Sequence, residues 1–303
     1  MICTVTMNPA IDYVVRLEGA LTPGAINRSG HEEFQFGGKG INVSNVLRNL
    51  GQDTVALGFV AGDTGAWLER GLTRMGLRTR FVRLNQGMTR INVKVKARQE
   101  TEINGMGPVI GPDDLERLYE QLDGLTAGDA LVLSGSVPVC LGPDAYEKIL
   151  ARLAGQEILT VVDAAGELLT RTLKHRPFLV KPNDQELQGI FGRTMGTEGD
   201  IIGAAREMQT MGARNVLVSM AGDGALLLDE QGGVHRMACP QGKVVNSVGA
   251  GDSMVAGFLV AWLDSGDYET ALRWGIAAGS ATAFSLGLAD RAAVETLLEQ
   301  MDQ

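Results

Sequence analysis

The sequence predicts one main α/β domain built on a mostly parallel central sheet flanked by helices, with a small half-exposed β-sheet attached to it. Three observations carry this reading. From residue 110 onward, short continuous apolar runs alternate with stretches of helical period, the pattern of βα units. The 40 glycines, set against 5% aromatic residues, suit many tight strand-to-helix turns. Residues 89–103, "TRINVKVKARQETEI", differ: Ile91, Val93 and Val95 alternate with Asn92, Lys94 and Lys96, as in a half-exposed strand. The polar, β-like segment 12–36 resembles it, so insertions at about 12–36 and 89–108 form the small sheet within a single domain of residues 1–303.

The elements follow in order. "ICTVT" is a first buried strand, and "NPAIDYVVRL" opens with turn residues before alternating loosely. After the Gly-rich "FGGKG", Ile41, Val43, Val46, Leu47 and Leu50 have helical spacing, with Gly51 as the stop. "TVALGFVAG" reads as a strand and "DTGAWLERGLTRMG" as a helix. The regular part then gives helix "DDLERLYEQL", strand "ALVLSG", helix "DAYEKILARLAG", strand "ILTVVDAAG" and helix "ELLTRTL". It continues with strand "PFLVKPN", helix "DQELQGIFG", helix "IIGAAREMQTMG" and strand "NVLVSMAG". "ALLLD", "GVHRM" and "KVVNSV" read as further strands near one edge, and helices at about 252–264, 268–286 and 290–301 close the chain.

Composition excludes several classes. The net charge of −9 disfavours a nucleic-acid face, so a bound phosphate needs local N–H groups and a few cations. Cys3, Cys140 and Cys239 are odd in number and far apart, with no Cys-x-x-Cys, which argues against disulfides or a zinc site. His31, His175 and His235 are equally scattered, which disfavours a His-based triad or metal site. No signal peptide or membrane-length apolar run is visible, which predicts a cytoplasmic protein.

Three Gly-rich turns remain: Gly37-Gly38-Lys39-Gly40, Ala221-Gly222-Asp223-Gly224 and Gly249-Ala250-Gly251-Asp252. None is a P-loop, because Lys39 is followed by Gly40, and none is a dinucleotide fingerprint, because Met254 holds the final glycine position. The last turn opens a helix, whose unpaired N–H groups and dipole attract an anion. There Asp252 is either a plain cap or a base accepting a proton from a hydroxyl that attacks phosphate. Elsewhere, Asn183 and Glu186 in "KPNDQEL" form either a capping arrangement or an oxygen pair for Mg²⁺. Lys39 and Arg90 are solvated charges or an anion clamp, and Asp12 is a turn aspartate or an acceptor for sugar hydroxyls.

Taken together, "FGGKGINVSNVLRNLG" and "NSVGAGDSMVAGF" resemble the two motifs of the PfkB family of ribokinase-like carbohydrate kinases. The resemblance implies a three-layer α/β fold with a β lid, ATP as phosphoryl donor and Mg²⁺. It also implies Asp252 as base, with Gly249, Ala250 and Gly251 as its anion hole. Asp12, Gly38, Lys39, Asn42 and Arg90 match sugar-phosphate positions, and Asn183 and Glu186 match a metal-water motif. Ser219, Gly222, Gly224, Val248, Gly251, Ala278 and Ser280, with Asn183, fall on the nucleotide side. "VTMNPAID", "TRINVKV", "ETEINGMGP", "LSGSVP" and "VKPNDQEL" resemble the members that phosphorylate fructose 1-phosphate on its 6-hydroxyl to give fructose 1,6-bisphosphate. Tagatose 6-phosphate is the alternative acceptor, and a catalytically silent sugar-phosphate sensor is the non-enzymatic alternative. Ala164 and Ala165 after the aspartate, and Met220-Ala221 in the loop, depart from the family pattern. The apolar face of Ile91, Val93 and Val95 predicts a homodimer through the lid.

Overall fold

The computed structural model describes residues 1–302. Its strands are β1 (Ile2–Thr6), β2 (Ala10–Arg16), β3 (His31–Gly37), β4 (Thr54–Ala61), β5 (Arg78–Leu84), β6 (Arg90–Lys96), β7 (Thr101–Ile103), β8 (Ala130–Ser134), β9 (Leu159–Asp163), β10 (Leu179–Val180), β11 (Asn215–Ser219), β12 (Ala225–Leu228) and β13 (Val234–Met237). Its helices are α1 (Lys39–Asn49), α2 (Gly62–Arg74), α3 (Pro112–Leu122), α4 (Ala145–Arg152), α5 (Gly166–Thr170), α6 (Asp184–Phe191), α7 (Glu198–Thr210), α8 (Ala250–Ser265), α9 (Tyr268–Ala283) and α10 (Arg291–Met301).

Nine strands form the main sheet in the order β13-β12-β11-β10-β9-β8-β1-β4-β5. Pairing is parallel from β5 to β11, and β12 and β13 add antiparallel at one edge. Continuous apolar strands such as Thr54–Ala61 are buried along their whole length because helices cover both faces. Alternate residues divide between two cores. Cys3, Val5, Leu131 and Leu133 face α3, α4 and α7, whereas Ile2, Ala130 and Val132 face α1, α8, α9 and α10. This is the expected three-layer arrangement. Helix α8 is apolar on all sides and packs so closely on α9 that a side chain at Gly257 would collide with the Trp274 carbonyl.

The lid is a separate sheet in the order β3-β2-β6-β7, formed by the two expected insertions. Residues in register share a face, so Ile11, Phe36 and Ile91 lie together and pack on α2 around Trp67. Tyr13 stacks on Phe34 farther out on the same face, where Phe34 and Ile103 are exposed. The sequence reading treated this apolar face as the free one. Instead its inner part is covered by α2, and Val95 is buried. The polar positions Asn92 and Lys94 are themselves buried, because Asp12 satisfies both.

One further expectation fails, and one strand lies where none was expected. "KVVNSV" is not a strand: the N–H groups of Val245 and Asn246 donate to the Ala283 carbonyl at 2.8 and 3.1 Å. That contact pulls the segment off the sheet edge toward α8 and α9. Strand β5, "RTRFVRL", was not anticipated because three arginines mask its apolar positions. No described helix is long and apolar enough to cross a membrane.

Candidate active site

The carboxyl ends of β1, β8, β9, β10 and β11 converge on one edge of the sheet, where open α/β sheets bind ligands. Thr6, Ser134, Asp163, Lys181 and Ser219 stand at or just beyond these ends. Thr6 Oγ1 accepts from the Ile41 N–H at 2.9 Å, which seats the start of α1 against β1. The approach requires glycine: at Gly38 (φ +133°) a Cβ would press on the Thr6 methyl, and at Gly40 it would meet the Val5 carbonyl at 2.7 Å. Lys39 is thereby fixed at the mouth of a cleft of about 720 Å³ also lined by Asn8, Gly38, Arg90, Ser134 and Glu186.

Asp252 stands in the first turn of α8, 5% exposed. The helix starts sharply because Gly249 is left-handed (φ 84°), where a side chain would press on Leu288. Asn42 Nδ2 donates to Asp252 Oδ2 at 2.8 Å. Burial, then the neighbouring Asp163 carboxylate, pushes Asp252 up to about 6, against the pull of Asn42, Lys39 and Lys181. Asp163 goes the other way. Burial opposes its charge, but Lys181 (3.2 Å), Lys39 (3.5 Å) and Ser134 (3.2 Å) hold it below the usual carboxylate range. Two neighbouring carboxyls with diverging pKa values mark a site where one can carry a proton. Lys39 also loses some basicity to burial, but Asp163, Asp252 and Glu186 outweigh that and raise it.

Lys181 is 4% exposed, and its Nζ lies 3.2 Å from where a Cβ on Gly251 would be. Its ammonium therefore sits against the backbone of the Gly249–Asp252 helix start, adding its charge to that turn's attraction for an anion. Sequence reasoning missed both Asp163 and Lys181. Each follows a buried apolar run, "LTVVD" and "FLVK", and a charged residue ending such a run was the available signal.

The other expected site residues sort as follows. Arg90 lines the cleft and donates to the carbonyls of Asn8 (3.1 Å) and Gly105 (3.5 Å); burial lowers its basicity while Asp12 raises it. Asp12 is engaged by Lys94 (3.0 Å) and Asn92 (2.8 Å) within the lid. Asn183 and Glu186 form a capping box on α6, each side chain accepting from the other residue's N–H at 2.7 and 2.9 Å. Their alternative reading as a cap is thus realised, yet Glu186 also lines the cleft. Asn183 and Ser219 bridge adjacent strand ends, and Ala221–Asp223 form a 3-10 turn that closes with Gly224 at φ +91°. Gly222 has open space around it and Val248 is exposed. Ser280 is buried in α9, and Ala278 has no exposed surface because it packs against Gly257. The structure therefore does not place Ala278 where it could touch an adenine ring.

Residues 5–294 match the family described as pfkB family carbohydrate kinase. The chain belongs to the PfkB family. This PfkB kinase is 44% identical over 301 residues to the 1-phosphofructokinase of Bacillus subtilis (strain 168), covering 99% of this chain and 98% of that protein. It is 37% identical over 302 residues to a D-tagatose-1-phosphate kinase of Bacillus licheniformis, covering 99% of this chain and 98% of the other. Among solved structures, the phosphofructokinase-2 of Escherichia coli in complex with fructose-6-phosphate superposes with a TM-score of 0.92 at 28% identity. That match covers 100% of this chain and 99% of the other. The PfkB assignment makes the chain a carbohydrate kinase with the ribokinase-like fold.

Proposed function

We propose that the chain transfers the γ-phosphoryl group of ATP to the 6-hydroxyl of fructose 1-phosphate, giving fructose 1,6-bisphosphate and ADP. The observation that carries the chemistry is Asp252, a buried carboxylate pushed up to about 6 at a helix start. A base with such a pKa is ionised at neutral pH yet basic enough to share a proton in the transition state. Asp252 takes the hydroxyl proton while the oxygen forms its bond to phosphorus and the bond to the β-phosphate breaks. Asn42 fixes the rotamer of the base. Lys39 and Arg90 neutralise the sugar phosphate, and Asp12 orients sugar hydroxyls once it shares its partners. Lys181 and the 249–252 N–H groups stabilise the charge that develops on the transferred group.

On the nucleotide side we place Asn183, Ser219, Gly222, Gly224, Val248 and Ser280. The described residues hold no group of three acidic, His or Cys side chains able to cage a metal. Glu186 in the cleft wall therefore suits an ion held largely through water and phosphate oxygens, the usual habit of Mg²⁺. When bound, ATP with Mg²⁺ supplies the phosphoryl group and part of its charge neutralisation.

Fructose 1-phosphate as acceptor is supported by the full-length likeness to the B. subtilis enzyme. The D-tagatose-1-phosphate kinase of B. licheniformis supports a second reading, the same reaction on the 4-epimer. Tagatose 6-phosphate stays the weaker alternative, since it carries its phosphate at the other end. A silent sensor has no need for Asp252, Asp163, Lys39 and Lys181 in one cluster. A coupled ADP-release assay across fructose 1-phosphate, fructose 6-phosphate, tagatose 1-phosphate and tagatose 6-phosphate tests the reading. Fastest turnover with any other sugar defeats it.

We also infer that two copies pair through the outer lid face, where Phe34 and Ile103 are exposed beside Tyr13. A monomer at micromolar concentration in sedimentation defeats that pairing. Three free thiols among the described residues fit work in a reducing cytoplasm.

A further inference from the structure

Asn8 occupies an unusual place in the cleft wall. It is 5% exposed, and its Oδ1 is a buried acceptor without a hydrogen-bond partner. Its Nδ2 donates to the Met106 carbonyl at 3.0 Å, and its own carbonyl accepts from Arg90 Nε at 3.1 Å. Gly107, at φ +85°, passes directly over the carboxamide, and a Cβ there would collide with Asn8 Oδ1. The segment 104–107, "NGMG", is tied down again where the Gly105 N–H donates to Asn92 Oδ1 at 3.1 Å and its carbonyl meets Arg90 Nη1. Thr89 fixes the root of β6, its hydroxyl accepting from the Ala61 N–H and its carbonyl accepting from Thr64.

Arg90 is thus anchored at its root by Thr89, while Asn8 sets both its guanidinium and the segment beside it. An aliphatic residue would fill the same space without burying an unpaired acceptor, which costs stability. A feature that weakens the resting fold at a cleft wall fits a role in binding. We propose, resting on the phosphosugar-kinase reading above, that Asn8 is a positioning residue for the acceptor sugar phosphate. It aims Arg90 through its carbonyl and clasps residues 104–107 through its amide. When that segment shifts, Oδ1 accepts from a hydroxyl of the entering sugar.

The test compares Asn8→Ala, Gly107→Ala and the double variant. Asn8→Ala leaves the backbone carbonyl that holds Arg90 but raises KM for fructose 1-phosphate by about tenfold, the scale of one lost hydrogen bond between neutral groups. KM for ATP stays within twofold, and Tm changes little, because removal of the unpaired acceptor offsets loss of the Met106 hydrogen bond. Gly107→Ala produces a similar rise in KM, and the double variant is no worse than Gly107→Ala alone, since the carboxamide it strikes is gone. A KM for the sugar within twofold of wild type in Asn8→Ala overturns the proposal. So does a rise in both KM values with a fall in Tm, the mark of a merely structural residue. The same variants are read without turnover by the thermal shift that fructose 1-phosphate gives in the absence of ATP. Loss of that shift in Asn8→Ala supports the role, and retention at wild-type concentration dependence overturns it. A wild type that prefers tagatose 1-phosphate sinks the choice of substrate alone, and the Asn8 comparison is then made on that sugar.

Discussion

Asn42 and Asp252 meet at 2.8 Å across 210 residues of sequence, and this bond joins two of the three Gly-rich motifs of the chain. One motif opens α1 and the other opens α8, and the helices pack side by side on one face of the sheet.

Asp252→Asn keeps the Asn42 contact but removes the carboxylate proposed as proton acceptor. It lowers kcat by roughly 10²–10⁴-fold with little change in KM. Steady-state kinetics on the folded variant checks this, and near-normal kcat removes Asp252 from the role of base.

The same group sets the acid limb of the pH profile. Asp252 must be ionised to accept a proton, so kcat/KM falls as pH drops through about 6. Asn42 holds that value down, so Asn42→Ala moves the limb to higher pH. Profiles of the two proteins in one buffer series decide the point. A limb unmoved in Asn42→Ala contradicts it.

Stability carries the opposite sign. Folding raises the pKa of Asp252, so its contribution is present below the unfolded carboxylate range and is lost as pH rises through about 6. Asp252→Asn therefore raises Tm by a few degrees at pH 8 and leaves it unchanged at pH 4. Calorimetry at the two pH values separates this from a general packing effect.

Lys181 and Asp163 form an ion pair with side chains 5% and 1% exposed. Lys181→Met leaves the buried Asp163 with only the more distant Lys39 and the Ser134 hydroxyl, at a cost of up to about 3 kcal/mol at neutral pH. Lys181 is the main group holding Asp163 low, so in the variant that carboxyl protonates at higher pH and this loss shrinks in acid. The variant also moves the acid limb of the activity upward, since Lys181 helps keep Asp252 ionised. Denaturant titrations at pH 7 and pH 4 measure the first effect.

Arg90→Ala removes the guanidinium from the cleft while Lys39 remains. KM for the sugar phosphate rises by about 10–100-fold, as for loss of a hydrogen bond between charged groups, and KM for ATP hardly changes. An unchanged KM for the sugar excludes Arg90 as the phosphate clamp.

Much of the fold was legible because period and composition agreed. The βα units from residue 110 and the two lid insertions were all expected from the sequence. "KVVNSV" misled because β-branched residues fit a strand, while the Ala283 carbonyl that captures its N–H groups lies in a later helix. Strand β5 hid behind arginines that suit an exposed sheet edge. Within the site, Lys39 and Asp252 were flagged by their glycines. Asp163 and Lys181 carry only a weak local mark, a charge ending an apolar strand, which usually serves a cap or a turn. Only the convergence of the ends of β8, β9 and β10 with the start of α1 turns them into a charge network.

The position of β1 bears on how the polypeptide is made. It lies between β4 and β8, paired with residues 54–58 and 130–133, so the first strand synthesised waits for distant partners before it is enclosed. Helix α8 arrives later still, and until then Val46 and Leu47 of α1 lack their cover. A nascent chain stalled ahead of α8 holds Arg90 and Lys39 without Asp252, and it leaves the apolar face of α1 uncovered and prone to association.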